Sequence, residues 1–165
     1  MGMWFQLGAN PATILEVCAL GRFLAPGNGT NPDPAKTSHL IRIVDAVRDV
    51  DVASVTVSTV PGATGLFFDP SSNYLYALLP TPIILKADPV NPVGDFYIVS
   101  QEIDTSKDAN PELWGDGTTP VTSDVYAGNV MGSVLGNTGA WNVQQSGSFC
   151  FGPVNFRYRI TVIIY

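Results

Sequence analysis

The chain closes on NFRYRITVIIY (Asn155–Tyr165), in which Phe156, Tyr158, Ile160, Val162 and Ile164 alternate with Asn155, Arg157, Arg159 and Thr161. Strict period two gives a β-strand with one apolar and one polar face. A strand of this length is expected in the middle of a sheet or paired with a neighbouring subunit. The rest of the 165 residues agrees with it: Val, Ile and Thr number 18, 10 and 13, while Glu and Lys number three each. β-branched side chains lose rotamer freedom in helices and pack well on pleated sheets.

Turn chemistry removes what room is left for long helices. Seven of the 13 prolines (Pro11, Pro32, Pro34, Pro70, Pro89, Pro92 and Pro111) follow Asn or Asp. Asx side chains bond their own backbone at turns, and the residue before proline is pushed out of the α region. The expected fold is all-β: an antiparallel, jelly-roll-like β-sandwich or a small barrel of about 8–11 short strands. Its length fits one domain, residues 1–165, by the usual range of about 100–200.

Expected strands are Thr13–Leu20, Ser38–Val50, Val52–Val60, Gly65–Phe68, Tyr74–Leu79, Ile83–Lys86, Asp95–Gln101, Val121–Val125, Asn129–Leu135, Trp141–Gln145 and Ser148–Phe151. Gly21–Lys36 and Glu102–Thr119 read as long connections. Ser38–Val50 is ambiguous, because Leu40, Ile41, Val44 and Val47 also lie at helical spacing behind a Ser38 cap. The alternation of Ile41 and Ile43 favours a strand. GLFFDPSSNYLYAL (Gly65–Leu78) reads as a hairpin, since one copy of a blade-like motif builds no propeller.

No combination of residues points to a chemistry, so no catalytic, metal or cofactor site is expected. His39 is the only histidine, which excludes a multi-histidine metal site, and no Gly-x-Ser-x-Gly elbow supports a triad around it. A hydrolase would need a cleft holding His39 or paired acids. Glu102, Asp104, Asp108, Glu112, Asp116 and Asp124 form an acidic stretch with Lys107, but Ala109 stands where an EF-hand loop places its turn glycine. A solvated loop is the expectation there. Cys18 and Cys150 are expected buried and reduced.

Arg157 and Arg159 do not make a nucleic-acid patch on a chain of net charge −6. No P-loop, dinucleotide fingerprint or Cys-x-x-Cys occurs. Asn28-Gly29-Thr30 matches the glycosylation pattern, which is short enough to arise by chance. Met1–Leu20 lacks a basic leader and an unbroken apolar run, and no stretch approaches the ~20 apolar residues of a membrane span. A soluble chain with no signal peptide, no nucleic acid and no membrane is expected.

The most informative number is the charged fraction, 13%. The surface of a free-standing domain is usually about 25–35% Lys, Arg, Glu and Asp. Either the surface is neutral and polar, or part of it is covered by partners, since obligate interfaces are apolar and poor in charge. MGMWFQL (Met1–Leu7) suggests the second: Met3, Trp4, Phe5 and Leu7 are expected in an apolar docking arm within residues 1–10, forming a partner interface. A homo-oligomer, such as a trimer, is the expected state.

Asx-Pro loops such as NPDP (Asn31–Pro34) and DPVNP (Asp88–Pro92), together with the closing strand FRYRITVIIY (Phe156–Tyr165), resemble phage capsid decoration (cement) proteins and single jelly-roll capsid proteins. The resemblance is one of general character, without a motif that assigns residue roles. It implies a non-enzymatic structural virion protein on the capsid surface, whose partners are the major capsid protein or other shell subunits. The alternative is a carbohydrate- or surface-binding β-sandwich module of a secreted or appendage protein. That reading expects exposed coplanar aromatics near Trp114 or Trp141.

Overall fold

The apolar, β-branched runs become ten strands: β1 (Gly2–Leu7), β2 (Thr13–Phe23), β3 (Ser38–Asp45), β4 (Val50–Ser58), β5 (Leu66–Asp69), β6 (Tyr74–Leu85), β7 (Asp95–Ser100), β8 (Gly128–Asn137), β9 (Ala140–Gln144) and β10 (Val154–Val162). The computed structural model describes residues 2–7, 13–23, 38–58, 63–72, 74–101, 128–144 and 154–162. No helix occurs among them. The strands form two antiparallel sheets, β4-β3-β7-β1-β8-β9 and β10-β2-β6-β5. They do not close into a barrel, so the sandwich alternative is the observed one.

Between the sheets lies one core, built from Met3, Phe5, Leu7, Leu15, Val17, Leu20, Ile41, Ile43, Leu75, Leu85, Phe96 and Ile98 among others. Phe5 is the aromatic hinge of this layer. Its ring stacks on Phe96 at 5.8 Å and meets Phe156 of the facing sheet at 5.2 Å.

The amino-terminal segment is not an arm. β1 lies inside the six-stranded sheet, paired with β7 on one side and β8 on the other. Met3, Phe5 and Leu7 point into the core and are buried, while Trp4 and Gln6 point outward. The period of two was present in MWFQL, but over so few residues that the apolar content outweighed it.

Proline misleads at β6. The sequence predicts two short strands either side of Pro80-Thr81-Pro82, yet β6 runs through them as one strand. Val17 pairs with Ile83 and Ala19 with Leu78, so Leu79–Pro82 bulge opposite Cys18 alone. A bulge needs no ladder hydrogen bonds, which is where proline is tolerated. Cys18 is also skipped in the pairing of β2 with β10. Leu15 and Val17 face the core before it; Leu20 and Arg22 face inward after it.

Segment 38–50 is a strand followed by a turn. Ile41 and Ile43 face the main core, while Val44 is buried on the opposite face, so both faces of β3 are covered. Burial on both faces puts Ile41 and Val44 at helix-like spacing, whereas Val47 lies exposed in the turn beyond the strand. Asp45 ends the strand by accepting the N–H groups of Val47 and Arg48, and Asp49 takes a left-handed φ of 55°. β10 lies at the end of its sheet among the described strands, with β2 as its partner there. It is not central. The expected strands 121–125 and 148–151, and the connections 24–36 and 102–119, lie outside the described residues.

Candidate functional site

Solvent-facing sides of antiparallel sheets are ordinarily polar. Here both outer faces carry apolar and aromatic groups. On the six-stranded sheet, Val44, Tyr97, Val99 and Val134 form a second buried cluster beneath Trp4, Ala46, Trp141 and Val143. Trp141 stands on β9, with β8 and β1 between it and β7, yet its ring lies 5.5 Å from that of Tyr97. The β8–β9 hairpin therefore curls over the face of its own sheet. A bulge at Met131 supplies the bend, since Trp4 pairs with Gly132 and Phe5 with Val130.

Carboxylates hold both indoles in place. Trp141 Nε1 donates to Asp49 Oδ1 at 2.6 Å, and the N–H of Gly139 donates to the other oxygen of Asp49. Trp4 Nε1 donates to Asp95 Oδ1 at 2.9 Å. The Arg42 guanidinium lies 5.9 Å from the centre of the Trp141 ring and faces Asp51 at 3.2 Å. Beside this cluster a recess of about 380 Å³ is lined by Trp4, Ala46, Val47, Asp95, Tyr97 and Val143. Burial pushes the Tyr97 hydroxyl up from its usual range, with the Asp95 and Asp49 carboxylates adding to the shift.

An ionic clasp fixes the floor of this end of the sandwich. Arg48 donates to Asp45 at 2.5 Å and to both oxygens of Asp88 at 2.6 and 2.7 Å. Asn91, fully buried, donates to Asp45 Oδ1 and to the Asp95 carbonyl, and accepts the Asp95 N–H. Hydrogen bonds from the Arg48 side chain, then from the N–H groups of Asn91 and Val90, hold the Asp88 carboxyl down at about 2. Burial opposes ionisation of Asp45, but the donors from Arg48 and Val47 outweigh it and keep that carboxyl below its usual value.

The outer face of the four-stranded sheet is built differently. Register places Asn155, Gly21, Tyr76 and Phe67 in one cross-strand row, Arg157, Ala19 and Leu78 in the next, and Arg159, Glu16 and Ile84 beyond the bulge. Tyr76 lies over Gly21 so closely that a Cβ there would stand 2.5 Å from its ring. Phe67 stacks on Tyr76 at 5.1 Å, and the Arg157 guanidinium sits 4.8 Å from the Tyr76 centroid while pairing with Asp69. Leu78 and Ile84 stand 55% and 54% exposed, and Phe67 38%.

The remaining candidates are dispersed. His39 is buried on β3, its Nδ1 3.3 Å from the carbonyl of Gln101. Cys18 is a free thiol, half-buried at the bulge, and donates to the Arg157 carbonyl at 3.5 Å. Of the four residues expected in a partner interface, Met3, Phe5 and Leu7 are core and Trp4 lines the recess. Trp141 is tilted by 57° from Tyr97, so these two rings form no flat platform. Trp114, Cys150 and the acidic stretch 102–124 lie outside the described residues. Among the described residues no group of three or more His, Cys, Asp or Glu side chains is arranged to hold a metal ion.

Sequence reading missed the Trp4–Asp95 and Trp141–Asp49 pairs. Their signal is weak, because each joins positions about ninety residues apart. No protein-family model, curated protein or solved structure matches this chain.

Proposed function

We propose that the chain is a non-enzymatic structural subunit, a decoration or cement component of a virion shell. It works by burying the outer face of the β10-β2-β6-β5 sheet against neighbouring copies of itself as it sits on the shell. One observation carries the reading: Leu78, Ile84 and Phe67 project together from a sheet face that water would ordinarily keep polar. Around them stand Tyr76, Arg157 with Asp69, and Arg159 opposite Glu16. An apolar centre with Tyr and Arg and a charged rim is the anatomy of a protein–protein interface. The 13% charged fraction supports the same reading over the whole chain.

The test is a double substitution, Leu78→Asp with Ile84→Asp, compared with wild type by sedimentation velocity. Both side chains are exposed in the single chain, so the far-ultraviolet circular dichroism is expected to stay the same, while the thermal midpoint falls by the stability that assembly contributes. The expected result is a symmetric oligomer for wild type and a monomer for the variant. A folded variant that assembles like wild type overturns the reading. A wild-type chain that remains monomeric gives first place to the alternative, a module that binds a carbohydrate or another surface.

A further inference from the structure

We infer that the recess between the β8–β9 hairpin and the Trp4–Tyr97 pair is a socket for a cationic side chain, guanidinium or ammonium, presented by a partner protein. It lies on the sheet opposite the assembly face described above and does not depend on that reading.

Hydrogen-bond arithmetic selects the ligand class. Trp4 has one N–H, and it is committed to Asp95 Oδ1, so the indole offers the recess aromatic carbon surface and no donor. Asp95 keeps Oδ2 as an acceptor. Ala46, Val47 and Val143 contribute apolar wall. A neutral sugar hydroxyl is both donor and acceptor, and the Tyr97 hydroxyl is the one side-chain donor this lining offers it beside the Asp95 acceptor. Lys and Arg heads carry donors alone.

Charge points the same way. Arg48 is shared by Asp45 and Asp88, whereas Asp49 and Asp95 are bonded to indole and backbone N–H groups and take part in no ion pair with a described residue. The cluster also holds a precedent, since Arg42 already places its guanidinium against the Trp141 ring. Cations over indole are attracted by the ring quadrupole, and a carboxylate beside the ring adds to that attraction. The rim is reachable: Val47 is 49% exposed.

The experiment is a titration of the full chain, read by the indole N–H resonance of Trp4. Its ligands are N-acetyl-arginine amide, N-acetyl-lysine amide, the neutral isostere N-acetyl-citrulline amide, and methyl glucoside. At least one cation is expected to shift the resonance saturably, and about tenfold more tightly than citrulline, with the difference shrinking as salt is raised. Asp95→Asn is expected to remove the preference. Val47→Arg, at the exposed rim, is expected to fill the recess with its own guanidinium and block both cations, which keeps the test sound if Asp95→Asn does not fold. Lys86→Gln, at an exposed residue outside the recess lining, serves as the control and is expected to bind as wild type. Equal response to citrulline, a preference for the glucoside, or no saturable shift with either cation overturns the assignment.

Discussion

Trp141 on β9 donates its indole N–H to Asp49 in the β3–β4 turn, 2.6 Å away and 92 positions distant in sequence. That bond latches a curled hairpin onto the face of its own sheet. It converts a surface that would hold exposed Tyr97, Val99 and Val134 into a second, smaller core. The latch also fixes Asp49, whose left-handed backbone closes the turn after β3.

Replacing Trp141 by Phe keeps an aromatic ring beside Tyr97 and removes the donor together with part of the ring area. A hydrogen bond to a partly exposed carboxylate contributes about 1–2 kcal/mol. Trp141→Phe is expected to lose that much stability in urea denaturation. Amide exchange is expected to quicken in β9 ahead of β1 and β7. Uniform acceleration across all strands would show that the hairpin is not a separable latch.

Phe5 sits in the middle of the interior, against Phe96 and Phe156. Truncating a buried Phe costs about 3–5 kcal/mol, comparable to the whole stability of a small domain. Phe5→Ala is thus expected to lower the unfolding midpoint sharply or leave the chain unfolded. A docking arm would behave in the opposite way, with assembly lost and the fold intact. Circular dichroism and a denaturation curve separate the two.

The difference between those outcomes shows what was legible in the sequence and what was not. Alternation over Phe156–Ile160 announced a strand with a clean inner face, and Phe156 and Tyr158 do pack on the core. Val55 and Val57 turn inward from Ser54 and Thr56 in the same way. Alternation is local, so it survives without knowledge of the partner strand. Centrality is not local: β1 is short and sits between strands from positions 95–100 and 128–137, which no pattern within Met1–Leu7 specifies. The recess has the same origin, because the Trp4–Asp95 and Trp141–Asp49 contacts exist only after the sheet has assembled and curled.

Asp88 links pH to the clasp. Its carboxyl titrates near 3.8 when unfolded and at about 2 when held by Arg48, Asn91 and Val90. A depressed native pKa means the unfolded state takes up the proton first as pH falls. The stabilisation is complete above about pH 4 and is lost progressively down to about pH 2. Asp88→Asn is expected to flatten the stability–pH curve in that window, while Asp51→Asn leaves the Arg48 clasp and this window unchanged. Parallel curves for wild type and Asp88→Asn would contradict the role given to the clasp.

Gly21 is required by contact rather than by backbone conformation. A methyl group at this position meets the Tyr76 ring at 2.5 Å, so the ring must lift. The Phe67 stack and the Arg157 contact rest on that ring. Gly21→Ala is expected to cost about 1–3 kcal/mol, the usual range for overpacking, and to weaken assembly along with stability. Tyr76→Leu in the same background relieves the clash and is expected to recover part of the stability without recovering assembly.

The central claim is that the apolar outer face of the four-stranded sheet is covered in the working molecule. Solution mass by multi-angle light scattering, measured on the wild-type chain across a concentration series, tests it most directly. The account predicts a defined, closed species of trimer size or larger that persists on dilution into the micromolar range. A monomer at every concentration, with Leu78 and Ile84 standing free in water, would contradict it.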